Sequence, residues 1–394
     1  MPSPLTRSLA AGMLAAASLA AGAQTLLTQI PLPSSANLYT IGDVAVNSAT
    51  NRIYVPVQIS DGTNGSLYDY FRVLVINGAT NQVVHNLANF PSGSPYLGIA
   101  IDPVRNLTYV EMGINSSFET PNCTVSVVDG QTEETVKTIQ LPSGDCGTMA
   151  VDPVTGKVYI RAASELDVIA SEATGNIETF SLPAVLVGGA FGLAASPYAH
   201  RLYFTYNNEP QLGAEWLGFF DTLDNEISKE MFIPAGIEDD AHPVVNPETG
   251  NIFGTSTTYL VYPIQGYTDS LTVFNSRGSL LATIVPPVSG AFPPYLGTAS
   301  ILGLGVDPKA NLAFAFAETS SGTAGATVLY KIDGISNTIL SSASAALPYG
   351  SSLVGGKVAV NPDTGKIYVL YGEIVVNNGS SANQNFQLRI YSEQ

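Results

Sequence analysis

Positive charge is scarce in this 394-residue chain: 15 Lys plus Arg stand against 32 Asp plus Glu, a formal net charge of −17. Neutralising a phosphate backbone takes clustered cations, and no such cluster occurs, so nucleic acid is not an expected partner. Histidine is rarer still. His85, His200 and His242 are the three present, and none has a partner His at metal-ligand spacing. Only two cysteines occur and they form no C-x-x-C pair, which removes a dithiol redox role. No Gly-rich phosphate loop, G-x-S-x-G elbow or H-E-x-x-H pair is found either. No metal or cofactor is therefore expected.

Long apolar runs are also missing. Leu9 to Ala20 is the most extended one, short of the roughly 20 apolar residues that a membrane helix needs. Arg7 precedes this run, and the small residues Ala21-Gly22-Ala23 follow it before Gln24. That order of charge, apolar stretch and small residues is the pattern of a secretory signal peptide. Residues 1–23 are thus read as a leader on an exported protein, periplasmic or extracellular, with an Ala-rich signal of bacterial type. In an oxidising compartment Cys123 and Cys146 are expected to form a disulfide, the alternative being two free thiols.

What is abundant is repetition. Val44-Ala45-Val46-Asn47 and the residues up to Val55 return in altered form six more times. The anchor of each copy is Asn, Asp or Ser, usually followed by Pro: Asn47, Asp102, Asp152, Ser196, Asn246, Asp307 and Asn361. A repeat of about 50 residues marks a propeller or another repeat array. Each unit reads as a short apolar strand, a Pro/Gly or Pro/Asn turn, a second strand, a variable connection, a third strand, a tight turn such as Asp129-Gly130-Gln131-Thr132, and a fourth strand. Four antiparallel strands in each of seven units predict an all-β, seven-bladed β-propeller over residues 24–394, a single domain. Thr28 to Ser34 resembles a fourth strand, while Leu388 to Tyr391 reads as a third strand with nothing after it. The N-terminal strand is therefore expected to complete the last blade and leave no open sheet edge.

The pairs Tyr54-Val55, Tyr109-Val110, Tyr159-Ile160, Tyr203-Phe204 and Tyr368-Val369 follow these anchor turns. On them the chain resembles the YVTN-type propeller repeats, related in form to NHL and surface-layer propeller repeats. The resemblance extends over nearly all of the chain after the leader and implies the fold, with no single activity attached to it. Blades five and six depart from the motif at Phe253-Gly254 and Phe314-Ala315-Phe316, and blade four carries Ser196 as its anchor.

In such a blade the second-to-third connection and the passage to the next blade emerge on one face, and both tight turns on the other. The second-to-third connections read as long and dissimilar, for example 60–70, 113–122, 207–215, 257–268 and 372–385, so recognition is expected there. Tyr96 and Tyr295 lie in identical Pro-Tyr-Leu-Gly passages, Tyr349 in a similar one and Tyr39 before blade one. They belong to consecutive blades and read as an aromatic crescent at the channel mouth, suited to a sugar, peptide or aromatic ligand. The alternative is that each ring packs between blades. Before blade five stands Glu238-Asp239-Asp240-Ala241-His242, the one acid–base cluster. It supports either a solvated acidic loop or a propeller enzyme of lactonase or lyase type. The favoured expectation is a monomeric, secreted binding or scaffold protein for a glycan, peptide or surface partner.

Overall fold

A computed structural model describes residues 23–32, 43–59, 70–91, 98–114, 122–142, 147–162, 165–170, 175–182, 192–207, 215–233, 243–260, 266–287, 298–321, 324–348, 351–377 and 380–393. It is a seven-bladed β-propeller of seven four-stranded antiparallel sheets. Their first strands are Ala45–Asn47, Ile99–Asp102, Met149–Asp152, Leu193–Ser196, Val244–Val245, Thr298–Asp307 and Ser351–Asn361. Each packs beside the first strand of the next blade, and the last packs beside the first, which closes the ring. Thr25–Pro31 supplies the outer strand of blade seven, pairing Thr25 with Ser392 and Pro31 with Gln387. Among the described residues the one helical element is a 3-10 turn, Pro197–Ala199.

The core lies between blades. Seven apolar clusters fill the seven interfaces, each drawing residues from two neighbouring sheets. At the aligned second-strand position Tyr54, Tyr109, Tyr159, Tyr203, Phe253, Phe314 and Tyr368 are all fully buried. Every one of these rings enters the cluster shared with the following blade. Phe253 and Phe314 fill the same place without a hydroxyl, so their departure from the motif is chemical and leaves the geometry unchanged. Truncating one such ring to Ala removes about 3–5 kcal/mol of packing in comparable cores.

The anchor turns explain why the repeat keeps the residues it does. Asn47 Oδ1 accepts the amides of Ala49 and Thr50 at 3.1 and 3.4 Å, and Asp102 Oδ1 accepts those of Val104 and Arg105 at 2.9 and 3.0 Å. Asp152, Asn246, Asp307 and Asn361 make equivalent bonds. A short side chain carrying an acceptor thereby folds the turn on itself. Ser196 is the exception, with no such bond from its side chain, and here the turn tightens into the 3-10 form. Four residues after each anchor the backbone is left-handed, at Asn51, Asn106, Gly156, His200, Gly250, Asn311 and Gly365. Gly or Asn is expected there because few other side chains tolerate positive φ; His200 is the one substitute.

The anchor also ties its blade to the next. Asn47 Nδ2 donates to Asn106 Oδ1 at 2.7 Å, Asn246 to Asn311 at 2.7 Å and Asn361 to Asn51 at 2.9 Å. These are the three interfaces at which the following blade has Asn in the left-handed position. Where that residue is Gly or His, the preceding anchor is Asp102, Asp152, Ser196 or Asp307, none of which carries an amide donor. At the first of these turn pairs Arg105 takes over the link, donating to Asp102 Oδ2 at 2.8 Å and to the Pro153 carbonyl at 3.0 Å. Gly156 also leaves room for that link: a Cβ there would lie 2.5 Å from the Arg105 guanidinium carbon, and the arginine would have to shift.

In five blades the residue at the start of the second strand extends the same pattern outward, while blades two and six have Leu107 and Leu312 there. Arg52 pairs with Glu133 at 3.0 Å, Lys157 donates to the Thr222 carbonyl at 3.3 Å, and Asn251 donates to that of Gly334 at 3.1 Å. Arg201 reaches the Ser276 carbonyl and Lys366 the Gly78 carbonyl, both at 2.5 Å. All five bonds run from one blade to the third-to-fourth turn of the next. The ring is directional.

Two connections differ from their sequence reading. Residues 257–268 and 372–385 are mostly strand: Ile252–Leu260 pairs with Gly266–Phe274, and Lys366–Asn377 with Ser380–Ser392. Thr257-Thr258-Tyr259 and Ile374-Val375-Val376 carry the β-branched and aromatic side chains that prolong a ladder. The Asn- and Ser-rich stretch that follows the second of these hides that extension.

Candidate functional site

At the face opposite the anchor turns the repeat stops being a repeat. Two residues beyond the conserved ring, the blades carry Pro56, Glu111, Arg161, Thr205, Thr255, Phe316 and Leu370, all buried. One geometric position thus holds a carboxylate, a guanidinium, two hydroxyls and three apolar side chains. Period-2 alternation aims each of them at the following blade, as it does the ring below.

Glu111 shows what this position does. Both of its carboxylate oxygens accept the Gly147 amide of blade three, at 3.1 and 3.3 Å, and its own amide donates to the Gly98 carbonyl at 2.8 Å. A Cβ on Gly98 would lie 2.7 Å from Glu111 Oε2 and 2.9 Å from the Gly147 carbonyl oxygen, so glycine at the end of the Pro-Tyr-Leu-Gly passage leaves room for the acid and for the backbone of the next blade. Burial pushes the Glu111 carboxyl up to about 8, the bond from Gly147 pulls it down, and the Asp167 charge adds to the rise. At neutral pH the group holds its proton in preference to ionising. Asp167 itself is buried and accepts the Thr179 hydroxyl at 2.6 Å.

Other interfaces use related links. Asp269 Oδ2 accepts the Ile301 amide at 2.7 Å, and Glu318 Oε2 accepts that of Leu353 at 3.1 Å. Burial also raises the Glu318 carboxyl. Lys357 pairs with Asp43 at 3.2 Å across the seam between blades seven and one. Arg161 Nη1 donates to the Thr205 carbonyl, its guanidinium 5.6 Å from the Phe204 ring centre. These charged groups hold the entrances of the channel-lining strands in place. Among the described residues no group of three His, Cys, Asp or Glu is arranged to hold a metal ion.

Tyr39, Tyr96, Tyr295 and Tyr349 lie outside the described residues, as do Glu238, Asp239, Asp240, His242 and Cys146. Cys123 is fully buried near the start of the third strand of blade two and is not a free thiol. Sequence reasoning missed Glu111, Arg161, Asp167, Asp269 and Glu318. The available signal was a charged residue inside an otherwise apolar strand, as in Tyr109-Val110-Glu111-Met112 and Tyr159-Ile160-Arg161-Ala162.

No family model matches the chain, and no curated protein matches it. Among solved structures it is similar to Kuenenia stuttgartiensis hydrazine synthase, at 15% identity and a TM-score of 0.56, covering 86% of this chain and 94% of that one. It is also similar to the Myceliophteria thermophila Cps50 (Swd1) β-propeller domain, at 10% identity and a TM-score of 0.54, covering 94% and 99%. At such identities the likeness is one of fold alone.

A carboxyl whose folded value is raised contributes stability that is complete below its ordinary value and is lost as pH rises towards the folded one. For Glu111 that window runs from about 4.5 to about 8. Glu111→Gln keeps an acceptor for Gly147 and removes the ionisation. Its Tm should fall less than that of the parent between pH 5 and 8.5; parallel curves would remove Glu111 from the account.

Proposed function

We propose that the chain is an exported propeller of YVTN type that binds a glycan, peptide or surface partner through the face opposite its anchor turns. One observation carries this reading. The seven blades share one geometry from the anchor turn to the buried ring, with few chemical departures, and they diverge from Glu111 and its equivalents onward. A rigid, repeated half supports a half that differs from blade to blade, which is how recognition surfaces are built on constant frames. The net charge of −17 favours a neutral or cationic partner.

Gly98 leads directly back to Tyr96 in the sequence and rests on Glu111, so the end of that Pro-Tyr-Leu-Gly passage is pinned to a buried acid. The reading of Tyr39, Tyr96, Tyr295 and Tyr349 as a crescent of ligand-facing rings rests on their shared place in the passages between consecutive blades. Export rests on the order of Arg7, the apolar run Leu9 to Ala20 and the small residues Ala21-Gly22-Ala23, after which the first strand begins at Thr25. A Cys123–Cys146 disulfide is supported by Gly147, the residue after Cys146, whose amide is held by Glu111 on the strand that pairs with Cys123. A covalent closure of that kind contributes about 2–4 kcal/mol in the chain-entropy account.

The mature protein should bind a discrete subset of a glycan and peptide array. Replacing Tyr39, Tyr96, Tyr295 and Tyr349 by Ala should weaken the selected ligand at least tenfold with Tm little changed. Retained affinity in that variant would defeat the crescent. Intact-mass measurement with thiol labelling, before and after reduction, should show two thiols appearing only on reduction; two labelled thiols without reduction would contradict the disulfide.

A further inference from the structure

The anchor turns carry a second, unassigned surface. At the residue two beyond the anchor, blades two, three and four present Val104, Val154 and Tyr198, which are 72%, 58% and 68% exposed. The same position holds Ala49, Glu248, Lys309 and Asp363 in the other four blades. Leu223, 64% exposed, stands in the outer turn of blade four. Single exposed apolar residues are ordinary, but an apolar set at one repeat position of three consecutive blades follows the ring as an arc.

The arc rests on fixed backbone. Arg105, next to Val104, donates to the Pro153 carbonyl beside Val154, and Lys157 donates to the Thr222 carbonyl beside Leu223. The Thr222 amide in turn donates to the His200 carbonyl at 3.0 Å, two residues from Tyr198. These bonds also engage the cations of the region, since Arg105, Lys157 and Arg201 all point into links with a neighbouring blade. The carboxylates are left outside: Glu134, Asp224, Glu226 and, in blade five, Glu248 are exposed in or beside the turns. Residues 98–233 hold 18 of the 32 Asp and Glu but 6 of the 15 Lys and Arg. An apolar strip with an acidic border complements a segment that is apolar on one side and cationic on the other.

We infer that the anchor-turn face of blades two to four docks a basic amphipathic peptide segment of a protein partner, independently of the opposite face. The acidic border repels a second copy of this chain and an anionic bilayer alike.

A synthetic 14-residue Leu/Lys amphipathic peptide, followed by fluorescence anisotropy at low salt, provides the probe, with the Leu/Glu peptide of equal length as control. The mature protein should bind the first and not the second. The triple variant Val104→Ser, Val154→Ser, Tyr198→Ser, altered only at exposed positions, should keep its Tm and lose affinity at least tenfold. Asp224→Asn with Glu226→Gln should lose severalfold, while Ala at Tyr39, Tyr96, Tyr295 and Tyr349 should change nothing. Equal affinity in the triple variant, or equal binding of the Leu/Glu peptide, would overturn the proposal. So would a dimer in sedimentation that the triple variant abolishes, because the occupant would then be a second copy.

Discussion

The hydrogen bonding of the buried anchor side chains governs the rest of this structure. Each anchor sits where a channel-lining strand must reverse within four residues, and in every blade but the fourth, where Ser196 stands, its acceptor oxygen folds the turn by taking amides from inside it. The choice between Asn and Asp is set by the neighbour. Asn47, Asn246 and Asn361 each carry an amide that the following blade's Asn accepts. Asp102, Asp152 and Asp307 precede blades that offer Gly or His instead. An Asp facing Asn106 Oδ1 would set two acceptors against each other in a buried contact, at a cost of about 1–3 kcal/mol. An Asn at position 102 would forgo the charge that holds Arg105.

From that constraint comes a division of labour along each blade. The buried ring of every blade, the three Asn anchors and the Arg, Lys or Asn that begins five of the second strands bind forward to the next blade, so half of the molecule is a closed, directional lattice. Above the rings the lattice is replaced by individual solutions, Glu111 to Gly147, Asp269 to Ile301 and Glu318 to Leu353. Variation that would damage the lower half is tolerated there. Position-specific chemistry belongs to that upper half; Val104, Val154 and Tyr198 are places where the lower half also departs from uniformity.

The fold was legible in the sequence because its determinants are local and repeated. Anchor, Pro and Gly or Asn fall within four residues, the ring follows at a fixed distance, and Thr28 to Ser34 resembles the other fourth strands closely enough to reveal the closure. The connection at 372–385 reads as a loop because Asn and Ser obscure the run Ile374-Val375-Val376, and that at 257–268 because Pro263 and Gly266 interrupt its apolar run; both ladders depend on a partner strand. Glu111 and Asp269 were not legible as links, since their acceptor roles involve residues 36 and 32 positions away in another blade. The match of Asn anchors to left-handed Asn residues one repeat later, by contrast, can be read from the aligned copies once the direction of the ring is known.

The dependence of anchor identity on the neighbouring blade is tested most directly by a double-mutant cycle on Asn47→Asp and Asn106→Gly. Asn47→Asp alone should destabilise the protein, because its carboxylate meets the Asn106 carbonyl oxygen. Combined with Asn106→Gly it recreates the pairing of Asp102 with Gly156, and the loss should be relieved by about 1 kcal/mol or more relative to the sum of the single changes. Strictly additive losses would contradict the coupling on which the account of the ring rests.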